Sequence, residues 1–166
     1  MKAGDTLICN IKRFGSLRLK AYQDAKGVWT IGYGHTQNVQ PGDVITITEA
    51  EALLRGDLCR YEEYVNSLDV CRDNQGRFDA LTDFAYNCGI TNLQGSNLLK
   101  YILENRSEDE IRTEFLRWCY SGTRRLNGLK KRRLWEANHF FNKRQFASID
   151  IFVAWLRNTY NRMSNR

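Results

Sequence analysis

The chain has 166 residues, enough for one domain with a substantial buried core. Its 42% hydrophobic and 12% aromatic content excludes a disordered chain, and no run approaches the roughly 18 apolar residues of a membrane span. A net charge of +6 predicts attraction to a polyanion, with nucleic acid, anionic lipid and acidic envelope polymers all admitted.

The N-terminus, MKAGDTLICNIKRF, has neither the apolar stretch of a secretory signal nor a small-residue cleavage site, so no signal peptide is expected. Leu7, Ile8, Ile11 and Phe14 then recur at helical spacing, which predicts a short amphipathic helix over about residues 6–15. In LRLKAYQDAKGVWTIGYGHT, Leu17, Leu19 and Ala21 alternate with polar residues, Ala25-Lys26-Gly27 turns the chain, and residues 28–31 favour strand. This is a hairpin pattern. Gly32 and Gly34 around Tyr33 predict a bulge or a close backbone approach. Pro41-Gly42 marks another turn before a predicted short strand over residues 44–47.

Thr48 is the expected N-cap of the next helix, with Glu51 completing a capping box. Leu53, Leu54, Leu58, Tyr61, Val65 and Leu68 carry that helix to about residue 68. A third helix starts near Asp73 or Asn74, carries Phe78, Leu81, Phe84 and Ala85, and stops at Asn87-Cys88-Gly89. Further helices are predicted over residues 96–104, 108–120 and 129–141. Ile149, Phe152, Val153, Leu156 and Tyr160 predict an additional amphipathic helix over about 146–164. The expected architecture is α+β and a single domain over 1–166. A β lobe of about 17–47 packs on a helical lobe of about 48–141 plus residues 1–16.

Cys9, Cys59, Cys71, Cys88 and Cys119 form an odd set with no CxxC spacing. They are expected to be buried free thiols in a reducing compartment, with no metal site and no cofactor. The basic run GTRRLNGLKKRR reads as a solvated face. Without interleaved exposed aromatics or a known motif it predicts no specific nucleic-acid partner.

Four blocks, LRLKAYQDAKGVWTIGYGHT, ITITEAEALLRGDL, NQGRFDALTDFAYNCGITNLQGSNLLKYI and RLNGLKKRRLWEANHF, together resemble the phage-type lysozymes, glycoside hydrolases that break bacterial peptidoglycan. In order and at natural spacing, they cover about residues 7–141. The resemblance implies a lysozyme-like fold and a catalytic hairpin bearing a Glu, then eight residues, an Asp or Cys, five residues, and a Thr. Asp24 and Thr30 stand in the second and third places. The first place falls on Gly15, within Phe14-Gly15-Ser16-Leu17-Arg18-Leu19.

A glycosidic bond needs a protonated carboxyl to donate to the leaving oxygen, because an alkoxide departs badly from an oxocarbenium-like transition state. Burial would keep that carboxyl protonated, Asp24 would activate a water or steady the developing charge, and Thr30 would position the water. Glycine has no proton to give. Ser16 and Tyr22 titrate too high to replace a Glu at neutral pH. Tyr33, His35, Gln94 and Asn97 are the expected substrate-binding residues.

Each has a plainer reading. Asp24 alone is a turn acid, Thr30 a strand threonine, His35 a local hydrogen-bonding group and Tyr33 part of the hairpin's bend. Trp118, Trp135 and Trp155 are expected in the core. The expected function is hydrolysis of the β-1,4 bond between N-acetylmuramic acid and N-acetylglucosamine, impaired at Gly15. The alternative is a non-enzymatic peptidoglycan- or partner-binding module. The expected setting is a monomer without a membrane span, cytoplasmic on synthesis and acting on the bacterial cell wall after release.

Overall fold

The computed structural model describes residues 1–24, 27–71, 73–121 and 124–141. The expected helix over about 146–164, with Trp155, lies outside them, as do Ala25 and Lys26 of the predicted turn.

The first helix, α1 (Asp5–Phe14), buries Leu7, Ile8 and Ile11 and ends at Gly15. Strands β1 (Arg18–Gln23) and β2 (Trp29–Gly32) form an antiparallel hairpin whose register shifts between Arg18 and Tyr22. The predicted strand over 44–47 is a correction. Only its beginning pairs with β1, through Ala21 N–H to Asp43 O and Ile45 N–H to Leu19 O, both 2.9 Å. Ile47 already belongs to α2 (Ile47–Ser67).

The cap of α2 is therefore two residues earlier than expected. Thr46 accepts from the Glu49 N–H at 3.2 Å, and the Glu49 carboxylate accepts the Thr46 N–H at 2.7 Å. Both Thr46/Glu49 and Thr48/Glu51 satisfy the capping pattern. The Asp43–Ile45 pairing with β1 sets where the chain leaves the extended state, and so selects the first.

Asn74 caps α3 (Gln75–Cys88), and Gly89 ends it at φ 95°, a left-handed conformation that favours glycine. The short helices α4 (Ile90–Gln94) and α5 (Asn97–Leu103) follow, the second capped by Ser96. Helix α6 (Glu108–Arg117) opens on a Ser107/Glu110 capping box and stops three residues before the expected 120. The chain needs those residues for β3 (Tyr120–Ser121), which pairs with β4 (Arg124–Arg125) before α7 (Asn127–Phe140).

Helix α3 is buried on nearly all sides, as its run of Phe78 to Ala85 demands. Phe78, Leu81 and Phe84 meet Leu93, Leu98 and Ile102, then Phe115 of α6 and Phe140 of α7, in the main core. A second cluster joins Leu7, Ile8 and Ile11 of α1 to Leu54 and Leu58 of α2 and Trp135 of α7. That cluster fixes where α1 ends. At roughly 1.5–3 kcal/mol per large apolar side chain buried, it holds Gly15 against the helical body.

Trp135 is buried and Trp118 packs edge-on against Phe84, 5.2 Å between ring centroids. The thiols correct an expectation: Cys71 and Cys119 are buried, Cys88 is half-buried, but Cys9 and Cys59 are exposed. They occupy outward positions of the amphipathic helices α1 and α2, which periodicity places at the surface whatever the residue type. No described helix is long and apolar enough to cross a membrane.

Candidate functional site

Gly15 closes α1 in an extended conformation, φ −85° and ψ 139°, with its N–H on the Ile11 carbonyl at 2.7 Å. Any residue can adopt that backbone. A Cβ added there would meet the Ile11 carbonyl oxygen at 3.0 Å and Cδ1 of Tyr33 at 3.7 Å. A side chain at this position therefore leaves α1 beside the Tyr33 ring. The first of these contacts is tight, so a larger residue must displace the Ile11 carbonyl by a few tenths of an ångström.

Asp24 and Thr30 both bond Val28 at the end of the hairpin, where Thr30 itself stands opposite Tyr22. The Asp24 carboxylate accepts the Val28 N–H at 2.9 Å, while the Asp24 N–H reaches the Val28 carbonyl at 3.0 Å. Thr30 is buried and its hydroxyl donates to the same Val28 carbonyl at 2.9 Å. A hydroxyl has one proton and two lone pairs, so Thr30 can still accept a hydrogen bond from water after this donation.

The bend after β2 is tied to the body at two points. Gly32 (φ 65°) and Gly34 (φ 109°) take left-handed conformations that reverse the chain around Tyr33. Tyr86 of α3 donates its hydroxyl to the Tyr33 carbonyl at 2.8 Å. Burial pushes the Tyr86 phenol well above its ordinary range, which keeps it a donor. His35 Nδ1 lies 2.9 Å from both oxygens of Asp57 on α2, and Nε2 lies 2.9 Å from the Gln37 carbonyl. Tyr33 is thus held beside Gly15, and His35 is committed to Asp57 and Gln37. Gln94 ends α4 and Asn97 opens α5, both exposed beyond the end of α3.

A cluster of ionised or ionisable side chains is buried between α3 and α7. Arg132 forks onto Asp83 at 2.7 and 2.9 Å. Arg133 Nη2 bonds Glu136 at 2.7 Å and Asn87 at 2.9 Å, and its Nη1 lies 2.7 Å from Cys88 Sγ. Burial pulls against the Arg132 charge, but Asp83 and Glu136 together outweigh it and leave the guanidinium above its ordinary value. Burial raises the Cys88 thiol, with Arg133 opposing. Burial also raises the Glu136 carboxyl well above the usual carboxylate range.

Sequence reasoning missed Asp57, Tyr86 and this buried cluster. The partners are 22 residues apart for His35–Asp57, 53 for Tyr33–Tyr86 and 49 for Asp83–Arg132, so no local pattern could pair them. One signal was available. Asp79 and Asp83 stand one turn apart among apolar residues of α3, and buried acids require partners. Among the described residues, no group of three or more His, Cys, Asp or Glu is arranged to hold a metal ion.

A phage lysozyme family model matches residues 12–136. An endolysin of Acyrthosiphon pisum secondary endosymbiont phage 1 is 42% identical over 127 residues, 74% of this chain and 86% of that protein. An endolysin of Bacillus phage B103 is 41% identical over 133 residues, 78% of this chain but only half of that protein's length. Among solved structures, the muramidase domain of SpmX from Asticaccaulis excentricus superposes with a TM-score of 0.77. It is 36% identical, over 84% of this chain and 97% of that one.

Proposed function

The chain belongs to the phage lysozyme family, and from that premise we propose that its hairpin site addresses bacterial peptidoglycan with the general acid missing. The reaction of such a site is addition of water across the β-1,4 bond between N-acetylmuramic acid and N-acetylglucosamine. The bond breaks productively only if a proton reaches the leaving oxygen as it departs. Asp24 and Thr30 would supply the water and its orientation, with Tyr33 and His35 on the bend and Gln94 and Asn97 beyond α3 as substrate contacts. Gly15 would supply nothing, so turnover is slow.

One observation carries this reading. The end of α1 presents position 15 beside Tyr33, in a backbone that does not demand glycine, while Asp24 and Thr30 remain in the hairpin. Clearing of permeabilised bacteria by the chain and by Gly15→Glu tests it. The variant should lyse at least about 10²-fold faster, the usual worth of a general acid. Equal rates would overturn the missing-acid reading.

A second reading, a peptidoglycan-binding module without turnover, is favoured by a specific feature. The hydrogen bonds of Asp24 and Thr30 to Val28 account for both residues without catalysis. It predicts that neither protein lyses cells although both bind isolated walls. In either case we infer a monomer that is made in the cytoplasm and acts on the wall after release.

A further inference from the structure

Thr30 is only 4% exposed, and its hydroxyl spends its proton on the Val28 carbonyl at 2.9 Å. What remains is an acceptor, and an acceptor alone holds a water without fixing where that water points. The residue directly opposite Thr30 on β1 is Tyr22. The register shift lies earlier, between Arg18 and Tyr22, so Tyr22–Thr30 and Gln23–Trp29 are consecutive regular pairs. Directly opposed residues of an antiparallel pair leave the same face of the sheet, with Cβ atoms about 4.5–5.5 Å apart. The Tyr22 ring therefore leaves the hairpin beside the Thr30 side chain. Tyr22 is 37% exposed, and the Arg18 guanidinium lies 5.6 Å from its ring centroid, a cation–π contact that holds the ring in place.

We propose that Tyr22 is a positioning residue for the hydrolytic water: its ring walls the Thr30 hydroxyl on the β1 side. The proposal rests on the peptidoglycan reading above. The edge of a ring offers a water no lone pair, so on that side the water loses the hydrogen-bonding positions that bulk solvent would provide. Its orientation is then left to Thr30 and Asp24. Such orientation acts on the chemical step, because a reacting atom displaced by about 1 Å can cost about 10²-fold. The ring does this and the phenol hydroxyl does not, so phenylalanine serves equally well. A role in binding the sugar would act on KM instead.

Two measurements test this, the first independent of turnover. In the full chain carrying Thr30→Cys, alkylation by iodoacetamide is followed at each thiol by mass spectrometry. Adding Tyr22→Ala should speed labelling at position 30 at least about tenfold, since thiol reactivity follows access, while Tyr22→Phe should leave it slow. Exposed Cys9 and Cys59 are the unchanged reference, and slow labelling of buried Cys71 and Cys119 shows that the fold is intact. Should alanine unsettle the strand, Tyr22→Thr keeps strand propensity, lacks the ring and repeats the arm. Equal labelling with and without the ring overturns the proposal. The second measurement is turnover of soluble peptidoglycan fragments in the Gly15→Glu background. There Tyr22→Ala should lower kcat about tenfold with KM within about twofold, and Tyr22→Phe should restore kcat. Equal kcat for the alanine and phenylalanine variants, or a loss confined to KM, overturns the positioning role alone. A Gly15→Glu chain with no turnover at all overturns the peptidoglycan reading, and the positioning role with it.

Discussion

Asp24 and Thr30 are joined through a single residue. The carboxylate of one takes the Val28 N–H and the hydroxyl of the other donates to the Val28 carbonyl, both at 2.9 Å. The two groups proposed to handle the water also clip the hairpin turn together. Both residues therefore have a structural role that is independent of turnover.

This clip predicts a shared stability effect. Thr30→Val and Asp24→Ala should each lower stability by about 1 kcal/mol, the ordinary net worth of one hydrogen bond. Because both act on Val28, the double variant should lose less than the sum, with a coupling of at least about 0.5 kcal/mol. Denaturant midpoints of the four proteins measure it. Strict additivity would show that the two bonds form independently.

Gly15→Ala should not stabilise the fold. A gain would be expected inside a helix, where alanine is better than glycine by about 0.8–1 kcal/mol. Gly15 instead lies past the last turn, and its added Cβ would sit 3.0 Å from the Ile11 carbonyl oxygen. The expected result is a change between zero and a loss of about 1 kcal/mol, of the order that a small steric misfit costs. A clear rise in the unfolding midpoint would mean that the end of α1 relaxes freely. Gly15→Ala is also the control for Gly15→Glu, since both introduce the same Cβ contact and only one introduces an acid.

The elements with a one-dimensional signal were legible. The stripe of α1, the hairpin around Asp24 and Thr30, the Asn74 cap and the Gly89 stop all follow from residues within a few positions of one another. The cap of α2 was ambiguous because two Thr/Glu pairs overlap, and a non-local pairing with β1 decides between them. Helix α4 and the two-residue strands β3 and β4 are too short for periodicity to register. The supports of the site were invisible for a different reason. Tyr86 and Asp57 meet the bend only after α3 and α2 have packed, so nothing near them in sequence marks their role.

Tyr86→Phe should loosen the bend with little effect on the core. The ring stays packed edge-on to Tyr61, 5.5 Å between centroids, while the Tyr33 carbonyl loses its donor. A half-buried carbonyl left unpaired costs about 1–2 kcal/mol. Amide hydrogen exchange should therefore speed up at Gly34 and His35, whose N–H groups bond the Ile31 carbonyl at 3.2 and 2.9 Å. Amides of α3 should be little affected. Unchanged exchange at the bend would show that the His35–Asp57 contact holds it alone.

Glu136 makes stability depend on pH in a direction that can be stated. Its carboxyl is fully buried between α3 and α7; Oε1 accepts from Arg133 at 2.7 Å, and Oε2 has no hydrogen-bond donor among the described residues. Burial, with Asp83 adding repulsion, raises its pKa well above the ordinary value, and Arg133 only partly offsets this. The folded chain therefore holds this proton more tightly than the unfolded chain, whose glutamate titrates near about 4.3. The stabilising contribution is complete below that pH and is lost as pH rises toward the folded value, by up to about 1.4 kcal/mol per pH unit. Glu136→Gln keeps an oxygen for Arg133 and removes the titration. Its unfolding midpoint should match that of the unmodified chain most closely near pH 4–5 and exceed it increasingly toward pH 8. A gap that stays constant over this range, or that closes as pH rises, would mean that Glu136 is already ionised in the folded chain and that Arg133 and Arg132 hold its charge.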